Sequence, residues 1–191
     1  MKIIISDPLP SSATELLEKE GWTVDASTGR STEELSNDIK DAVALIVRSA
    51  TKVTAQLIAS APELRVIARA GSGVDNVDLQ AASDKGILVL NAPGANSISV
   101  AEHAFALIMS SARSVPRADA QMKNGEWGKK TFRGIELRGK TLGVIGLGRI
   151  GRELAHRARA FDMSVVAHDP FITTHVAKEL GIDLLPLDAL A

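Results

Sequence analysis

The chain has 191 residues, of which 45% are hydrophobic and 24% are charged. This length suits one large domain or two small ones, and the composition is too apolar for a disordered protein. The 22 basic and 23 acidic side chains leave a net charge of −1, so we expect no nucleic acid and no anionic membrane as a partner. Because cysteine is absent, a disulfide scaffold, thiolate catalysis and Cys-ligated zinc are excluded.

Membrane insertion and metal binding are not expected either. The apolar run at the amino terminus, residues 3–5, is far too short for a signal peptide or a membrane span. We therefore expect a cytoplasmic protein. The four histidines, His103, His156, His168 and His175, show no metal-ligand spacing, so we expect no metal site.

Short apolar runs without alternation recur along the chain, with helical patterns between them. Runs of this kind are typical of parallel strands that helices cover on both faces. We expect strands at residues 3–5, 44–47, 66–68, 88–90, 142–145 and 165–167, with a further one near 184–185. The alternation of strands and helices predicts an α/β protein with doubly wound parallel sheets.

Two sequence patterns mark helix starts in the first 115 residues. Ser31-Thr32-Glu33-Glu34 predicts a capping box that opens a helix extending to Lys40. Ser99-Val100-Ala101-Glu102 predicts a second capping box near the start of a long helix over residues 97–114.

A cluster of helix breakers, Asn91-Ala92-Pro93-Gly94-Ala95-Asn96, indicates a boundary between two domains. We expect a first α/β domain at 1–96 and a second at 97–191, with a second sheet that begins at Thr141. A complete doubly wound sheet needs about six strands, and the residues after Thr141 have room for two or three. We therefore expect only the first half of a Rossmann domain in the second part.

Gly146-Leu147-Gly148-Arg149-Ile150-Gly151 has the G-x-G-x-x-G spacing of a dinucleotide-binding turn. A predicted strand precedes it and a predicted helix, residues 149–161, follows it, which is the context that this pattern requires. The first glycine makes the turn, the second lets the backbone approach a pyrophosphate, and the third lets the helix pack on the strand. The free N–H groups of the helix N-terminus would then face the phosphates.

Asp169 follows the next predicted strand, about 20 residues beyond the turn, where an acidic side chain accepts hydrogen bonds from the adenosine ribose. Its carboxylate would repel a 2′-phosphate, and Pro170-Phe171 offers no arginine to receive one. The sequence therefore predicts that the cofactor is NAD.

Two arginines in the first domain follow predicted strands. Arg48-Ser49 ends one strand, and Arg69 ends the next, before the turn Gly71-Ser72-Gly73. Ligands of open α/β sheets bind at these strand ends, and arginines with free backbone N–H groups recognise anions there. The alternative stays open that both arginines pair with surface carboxylates and the glycines merely turn the chain.

Four ordered motifs resemble those of the NAD-dependent D-2-hydroxyacid dehydrogenases, and the resemblance covers the whole chain. They are Arg48-Ser49-Ala50-Thr51-Lys52-Val53, Arg69-Ala70-Gly71-Ser72-Gly73-Val74-Asp75-Asn76-Val77-Asp78, Asn91-Ala92-Pro93 with residues 96–103, and Glu136-Leu137-Arg138-Gly139-Lys140-Thr141-Leu142-Gly143. The resemblance implies a flavodoxin-like substrate-binding domain at 1–96 and a Rossmann domain from about residue 97. The implied reaction is the oxidation of 3-phosphoglycerate to 3-phosphohydroxypyruvate with NAD, the first step of serine biosynthesis.

The resemblance also implies two sets of site residues. The substrate would be bound by Arg48, Ser49, Arg69, Gly73 and Val74, with Lys129 as a phosphate contact from a neighbouring subunit of a homodimer or higher homo-oligomer. The cofactor would be bound by Ser72, Gly146, Gly148, Arg149, Ile150, Gly151 and Asp169.

The family's catalytic Arg, Glu and His have no counterpart in these 191 residues, so we expect an amino-terminal fragment that is inactive alone. Two other functions stay open at this stage. One is a different D-2-hydroxyacid dehydrogenase, such as a glyoxylate or hydroxypyruvate reductase. The other is a binding protein that senses NAD without turnover.

Overall fold

Five strands in the first half of the chain form one parallel sheet. A computed structural model, which describes residues 1–190, gives the order β2-β1-β3-β4-β5. This order is flavodoxin-like. From β1 the chain adds β2 on one side and then β3, β4 and β5 on the other, so the switch point of the sheet lies between β1 and β3. The strands are β1 (Lys2–Ile5), β2 (Thr23–Asp25), β3 (Ala44–Val47), β4 (Val66–Arg69) and β5 (Leu88–Asn91).

Four α-helices connect these strands: α1 (Ser11–Lys19), α2 (Thr32–Asp38), α3 (Ala55–Ala59) and α4 (Leu79–Asp84). The predicted capping box of α2 is confirmed. The backbone N–H of Glu34 donates to Ser31 Oγ at 3.2 Å, and the backbone N–H of Ser31 donates to Glu34 Oε2 at 2.8 Å. The α-helix ends at Asp38, two residues before the predicted end at Lys40. A short 3-10 helix (Ile39–Asp41) follows it.

The core of this sheet is built from aliphatic side chains in register across its central strands. Ile4 pairs with Leu45, Leu45 pairs with Ile67, and all three are fully buried. Each such side chain contributes about 1.5–3 kcal/mol by leaving water. This row holds the carboxyl ends of β1, β3 and β4 level, so the loops that follow them lie at one edge of the sheet.

The second half of the chain carries a parallel sheet of three strands in the order β6-β7-β8. Its elements are α5 (Ser97–Arg113), α6 (Val115–Lys123), β6 (Thr141–Ile145), α7 (Arg149–Ala160), β7 (Ser164–His168), α8 (Thr174–Glu179), β8 (Asp183–Leu184) and α9 (Leu187–Leu190). Within residues 1–190, β6 pairs with β7 alone, and Ile145 at its end is 70% exposed. The expected α/β architecture with parallel sheets is confirmed.

Two sequence predictions about elements were wrong or incomplete. Ser99 does not cap α5, because Asn96 is the N-cap and its carbonyl already accepts from the Val100 N–H at 2.9 Å. The helix therefore begins at Ser97, three residues before the start that a capping box at Ser99 would give. Strand β2 was not predicted, since it is three residues long and contains a single apolar side chain, Val24.

The molecule consists of two compact units, Met1–Ala95 and a second unit that begins at Asn96. In the second unit α5 packs against α7, where the rings of Phe105 and Phe161 lie 4.8 Å apart and Arg157 bonds Glu102 at 3.1 Å. Over residues 1–190, no helix combines the length and the apolar composition that a membrane span requires.

Candidate functional site

The turn between β6 and α7 is tied to the neighbouring strand through its first glycine. Gly146 has a φ of +93°, a left-handed conformation that glycine adopts without strain. Its backbone N–H donates to the carbonyl of His168, the last residue of β7, at 2.8 Å. The glycine turn therefore lies directly beside the carboxyl end of β7.

The other two glycines of the turn have opposite surroundings. A Cβ added to Gly151 would lie 2.1 Å from the carbonyl oxygen of Gly146, which is much closer than atoms pack. A Cβ on Gly148 would meet nothing within 4 Å. Gly151 is thus needed for the close approach of α7 to the turn, whereas Gly148 leaves open space above the helix.

Gly148 is the N-cap of α7 and has no side chain that could bond the helix terminus. The first N–H groups of a helix lack partners within the helix, so those at Arg149, Ile150 and Gly151 are available to a ligand. A helix N-terminus with free N–H groups favours an anion. The open space and the free donors together fit the pyrophosphate of a dinucleotide.

Asp169, which directly follows β7, links two segments of this site. Its Oδ2 accepts the Leu147 N–H at 2.7 Å, and its Oδ1 accepts the Phe171 N–H at 2.8 Å. These hydrogen bonds, first that from Phe171 and then that from Leu147, lower the pKa of the Asp169 carboxyl below its ordinary value. The carboxylate is therefore ionised at neutral pH and is held against the glycine turn.

In the first unit, the loops after β3, β4 and β5 meet at one edge of the sheet. Val47 is paired with Arg69, and Arg69 with Asn91, so these three strands end side by side. The side chain of Asn91 donates to the Ser72 carbonyl at 2.6 Å. The structure thus brings the predicted residues Arg48, Ser49, Arg69, Ser72, Gly73 and Val74 onto adjacent loops.

Arg69 folds back over the turn that follows it. A Cβ on Gly71 would lie 2.5 Å from Arg69 Nη1, and one on Gly73 would lie 3.7 Å from the same atom. The nearest carboxylate, Asp75, is 3.9 Å from Arg69 Nη2 and is itself 84% exposed. The Arg69 side chain is only 14% exposed. Its guanidinium can lie on the turn because Gly71 and Gly73 have no side chains in its way.

Arg48 differs from Arg69 in being exposed and unpaired. Within residues 1–190 its guanidinium makes no hydrogen bond or ion pair, and the same holds for the ammonium group of Lys52. Lys52 and Thr51 line a cleft of about 480 Å³ that also reaches Asp7 and Arg30. The cleft lies beside β1 and β3, which is the switch point of the sheet. The unpaired ammonium group of Lys52 at this cleft favours an anionic ligand.

Two residues that hold this loop were not assigned a role from the sequence. Asp7 is 4% exposed and accepts three hydrogen bonds from Arg48 and Thr51. Asn76 donates from Nδ2 to the carbonyls of the same two residues. The sequence did indicate the location of Asp7, because Ser6-Asp7 directly follows a predicted strand and therefore lies at the edge of the sheet where the strands have their carboxyl ends.

The remaining predicted residue and the histidines lie in the second unit. Lys129 is exposed on the loop after α6, beside a small cavity of about 180 Å³ that Trp127 and Phe132 also line. His168 Nδ1 lies 3.0 Å from the carbonyl of Leu185, and His175 lies 3.5 Å from Glu179. The groupings of His, Asp and Glu in residues 1–190 contain no set that could hold a metal ion.

Comparisons with known proteins agree with this geometry. The model of the family "D-isomer specific 2-hydroxyacid dehydrogenase, catalytic domain" matches residues 3–184. A crystal structure of a protein from Thermus thermophilus superposes with a TM-score of 0.89 and 34% identity, over 100% of this chain and 61% of the other.

Two curated relatives carry the name D-3-phosphoglycerate dehydrogenase. The protein from Methanocaldococcus jannaschii is 52% identical over 97% of this chain and 35% of its own length. The protein from Archaeoglobus fulgidus is 48% identical over 100% of this chain and 36% of its own length. The chain thus spans about a third of the length of these relatives. The match over residues 3–184 shows that the chain belongs to the D-isomer specific 2-hydroxyacid dehydrogenases.

Proposed function

We propose that the protein carrying these 191 residues oxidises 3-phosphoglycerate to 3-phosphohydroxypyruvate with NAD, the first step of serine biosynthesis. The observation that carries this proposal is the identity of 48% and 52%, across nearly the whole chain, with proteins named D-3-phosphoglycerate dehydrogenase. Those matches cover both the glycine turn and the arginine loops, so they bear on substrate as well as cofactor.

The second unit is proposed as the first half of the NAD-binding domain. Gly146, Gly148, Arg149, Ile150 and Gly151 would hold the pyrophosphate through the helix terminus, and the bound nicotinamide would accept the hydride from the substrate carbinol carbon. The free edge of β6 is where a further parallel strand would extend the sheet. We include Ser72 as a cofactor contact on the basis of the family resemblance.

We propose NAD rather than NADP because of Asp169. Its carboxylate is ionised and faces the glycine turn, so it would accept hydrogen bonds from the adenosine ribose hydroxyls. A 2′-phosphate at the same place would be repelled by this charge. Phe171, which follows it, is 91% exposed and offers no positive charge.

The first unit is proposed as the substrate-binding domain. The substrate has a carboxylate and a phosphate, and Arg48 supplies an exposed, unpaired guanidinium at the edge where ligands of such sheets bind. Ser49, Gly73 and Val74 lie on the same loops. On the basis of the family resemblance we assign Lys129, which is exposed, a phosphate contact across a homodimer.

The hydroxyl proton of the substrate must pass to a base as the carbonyl forms. His168 is bonded to a carbonyl and His175 faces Glu179, while His103 lies within α5 and His156 within α7. None of the four matches the position of the catalytic histidine that the family resemblance implies. We therefore expect the proton acceptor to come from residues other than these 191.

The test is an assay of the full-length protein for NADH formation with 3-phosphoglycerate and NAD. We expect turnover, and much less of it when NADP replaces NAD. Reduction of glyoxylate or hydroxypyruvate without oxidation of 3-phosphoglycerate would assign a different substrate. NAD binding without turnover of any of these acids would instead support an NAD sensor.

A further inference from the structure

The loop at residues 48–51 is held from one side by a buried carboxylate. Asp7 Oδ2 accepts the backbone N–H of Arg48 at 2.5 Å and that of Thr51 at 3.2 Å. Asp7 Oδ1 accepts the Thr51 hydroxyl at 2.7 Å, and Ser6 Oγ lies 2.8 Å from that hydroxyl. Because Asp7 lies just beyond the end of β1, that strand end fixes the loop that follows β3.

The same loop is held from the other side by an amide. Asn76 Nδ2 donates to the carbonyls of Arg48 and Thr51, each at 2.6 Å. Both partners are acceptors, so the NH₂ group must face them and the orientation of the amide is fixed. The backbone carbonyl of Asn76 accepts the Val53 N–H at 2.8 Å, which joins the loop after β4 to the chain beyond residue 51.

Arg48 is therefore held at both polar atoms of its backbone by side chains from other loops. Its N–H is bonded to Asp7 and its carbonyl to Asn76, while its own side chain is exposed and unpaired within residues 1–190. A long side chain on a fixed backbone loses less freedom when it binds a ligand than one on a mobile loop. The arrangement prepares Arg48 for an anion, although neither Asp7 nor Asn76 needs to touch that anion.

We propose that Asp7 and Asn76 are positioning residues that fix residues 48–51, so that Arg48 and Ser49 face the anionic group of the substrate. This inference rests on the proposed function in one respect, which is that Arg48 binds substrate. In this role neither Asp7 nor Asn76 needs to touch the substrate, because both bond the backbone of the loop.

The experiment is a double-mutant cycle in the full-length protein with Asn76→Ala and Arg48→Ala. We expect Asn76→Ala to raise the KM for 3-phosphoglycerate about tenfold, because a misplaced binding group loses much of its contact energy. The Kd for NAD should stay at the wild-type value. When Arg48 is already Ala, adding Asn76→Ala should change the KM little, since there is no guanidinium left to position.

Two further variants keep the test decisive. Asp7→Asn keeps the size of the side chain but loses a charge, and it should shift the KM in the same direction if the protein folds. Asp78→Ala is the matched control, because the Asp78 side chain accepts the Ala81 N–H as the N-cap of α4 and does not bond the loop at 48–51. It should lower the melting temperature as the Asn76 variant does, without raising the KM.

Additive effects of Asn76→Ala and Arg48→Ala, or an equal rise of the KM in Asp78→Ala, would overturn the positioning role. Failure of the proposed function gives a different result. If the wild-type protein oxidises another D-2-hydroxy acid and not 3-phosphoglycerate, the cycle is run with that acid, and the same non-additivity is expected.

Discussion

The second and third glycines of the dinucleotide turn, Gly148 and Gly151, should fail in different ways when each is replaced by alanine. In Gly151→Ala, the new Cβ would lie 2.1 Å from the Gly146 carbonyl oxygen, a backbone atom that cannot swing aside. Either α7 or the turn must move, and overpacking of this kind costs about 1–3 kcal/mol. We expect a lower melting temperature and a large loss of NAD affinity.

In Gly148→Ala, the new Cβ meets nothing within 4 Å, and the φ of −72° suits alanine. Alanine is a weaker N-cap than glycine but restricts the unfolded chain, so the free energy of unfolding should change by less than about 1 kcal/mol. The methyl group would nevertheless occupy the space into which the pyrophosphate fits. We expect a normal melting temperature with a loss of NAD affinity.

Both variants are measured in the full-length protein by thermal unfolding without ligand and by titration with NAD. Gly181→Ala serves as a control for destabilisation outside the turn, since Gly181 follows α8, has a φ of +65°, and would place a new Cβ 2.8 Å from Arg159 Nη1. It should lower the melting temperature and leave the NAD affinity unchanged. A Gly148→Ala protein that binds NAD as the wild type does would refute the placement of the pyrophosphate over α7. A Gly151→Ala protein with unchanged stability would refute the packing argument.

The other predictions concern charge, substrate and turnover. Asp169→Ala should weaken NAD binding about tenfold. Because backbone hydrogen bonds hold the pKa of Asp169 below its ordinary value, NAD affinity measured against pH should not fall through protonation of this carboxyl in the neutral or mildly acidic range. Gly71→Ala should displace the Arg69 guanidinium, since the Cβ would lie 2.5 Å from its Nη1, and should raise the KM for 3-phosphoglycerate much more than that for NAD. Arg48→Lys should also raise the KM for 3-phosphoglycerate, because an ammonium group cannot reproduce the planar fork of a guanidinium. A polypeptide of residues 1–191 should form no NADH from 3-phosphoglycerate, and measurable turnover would show that the proton acceptor lies within it.

The apolar strands could be predicted from sequence because they are buried on both faces. Residues 44–47 are an unbroken apolar run, and the structure has β3 at the same bounds. The glycine turn could be predicted for a similar reason, since its spacing follows from the close approach of a helix to a strand. Gly151 shows this requirement directly, because no larger residue fits against Gly146.

Features that depend on contacts across the chain could not be predicted from local pattern. The three-residue strand β2 exists because it pairs with β1, and little in its own composition marks it. The start of α5 is set by Asn96 in the breaker cluster, so the pattern at Ser99 was misleading.

The hydrogen bonds that hold the backbone of Arg48 also depend on contacts across the chain. Asp7 lies 41 residues from Arg48, and Asn76 lies 28 residues from it. Sequence showed that each follows a predicted strand, but only the strand order places these two strand ends on either side of residues 48–51. The place of the arginine at a strand end was therefore predictable, and the bonds from two other loops to its backbone were not.

The proposal that the substrate is phosphorylated is tested most directly by comparing kcat/KM for D-3-phosphoglycerate and for D-glycerate, with NAD and the full-length wild-type protein. D-glycerate has the same carboxylate and hydroxyl group but no phosphate. We predict that the phosphorylated acid is preferred by about a hundredfold or more, because a site built for a second anion leaves its cations unpaired without it. Equal kcat/KM values for the two acids would contradict the proposed function.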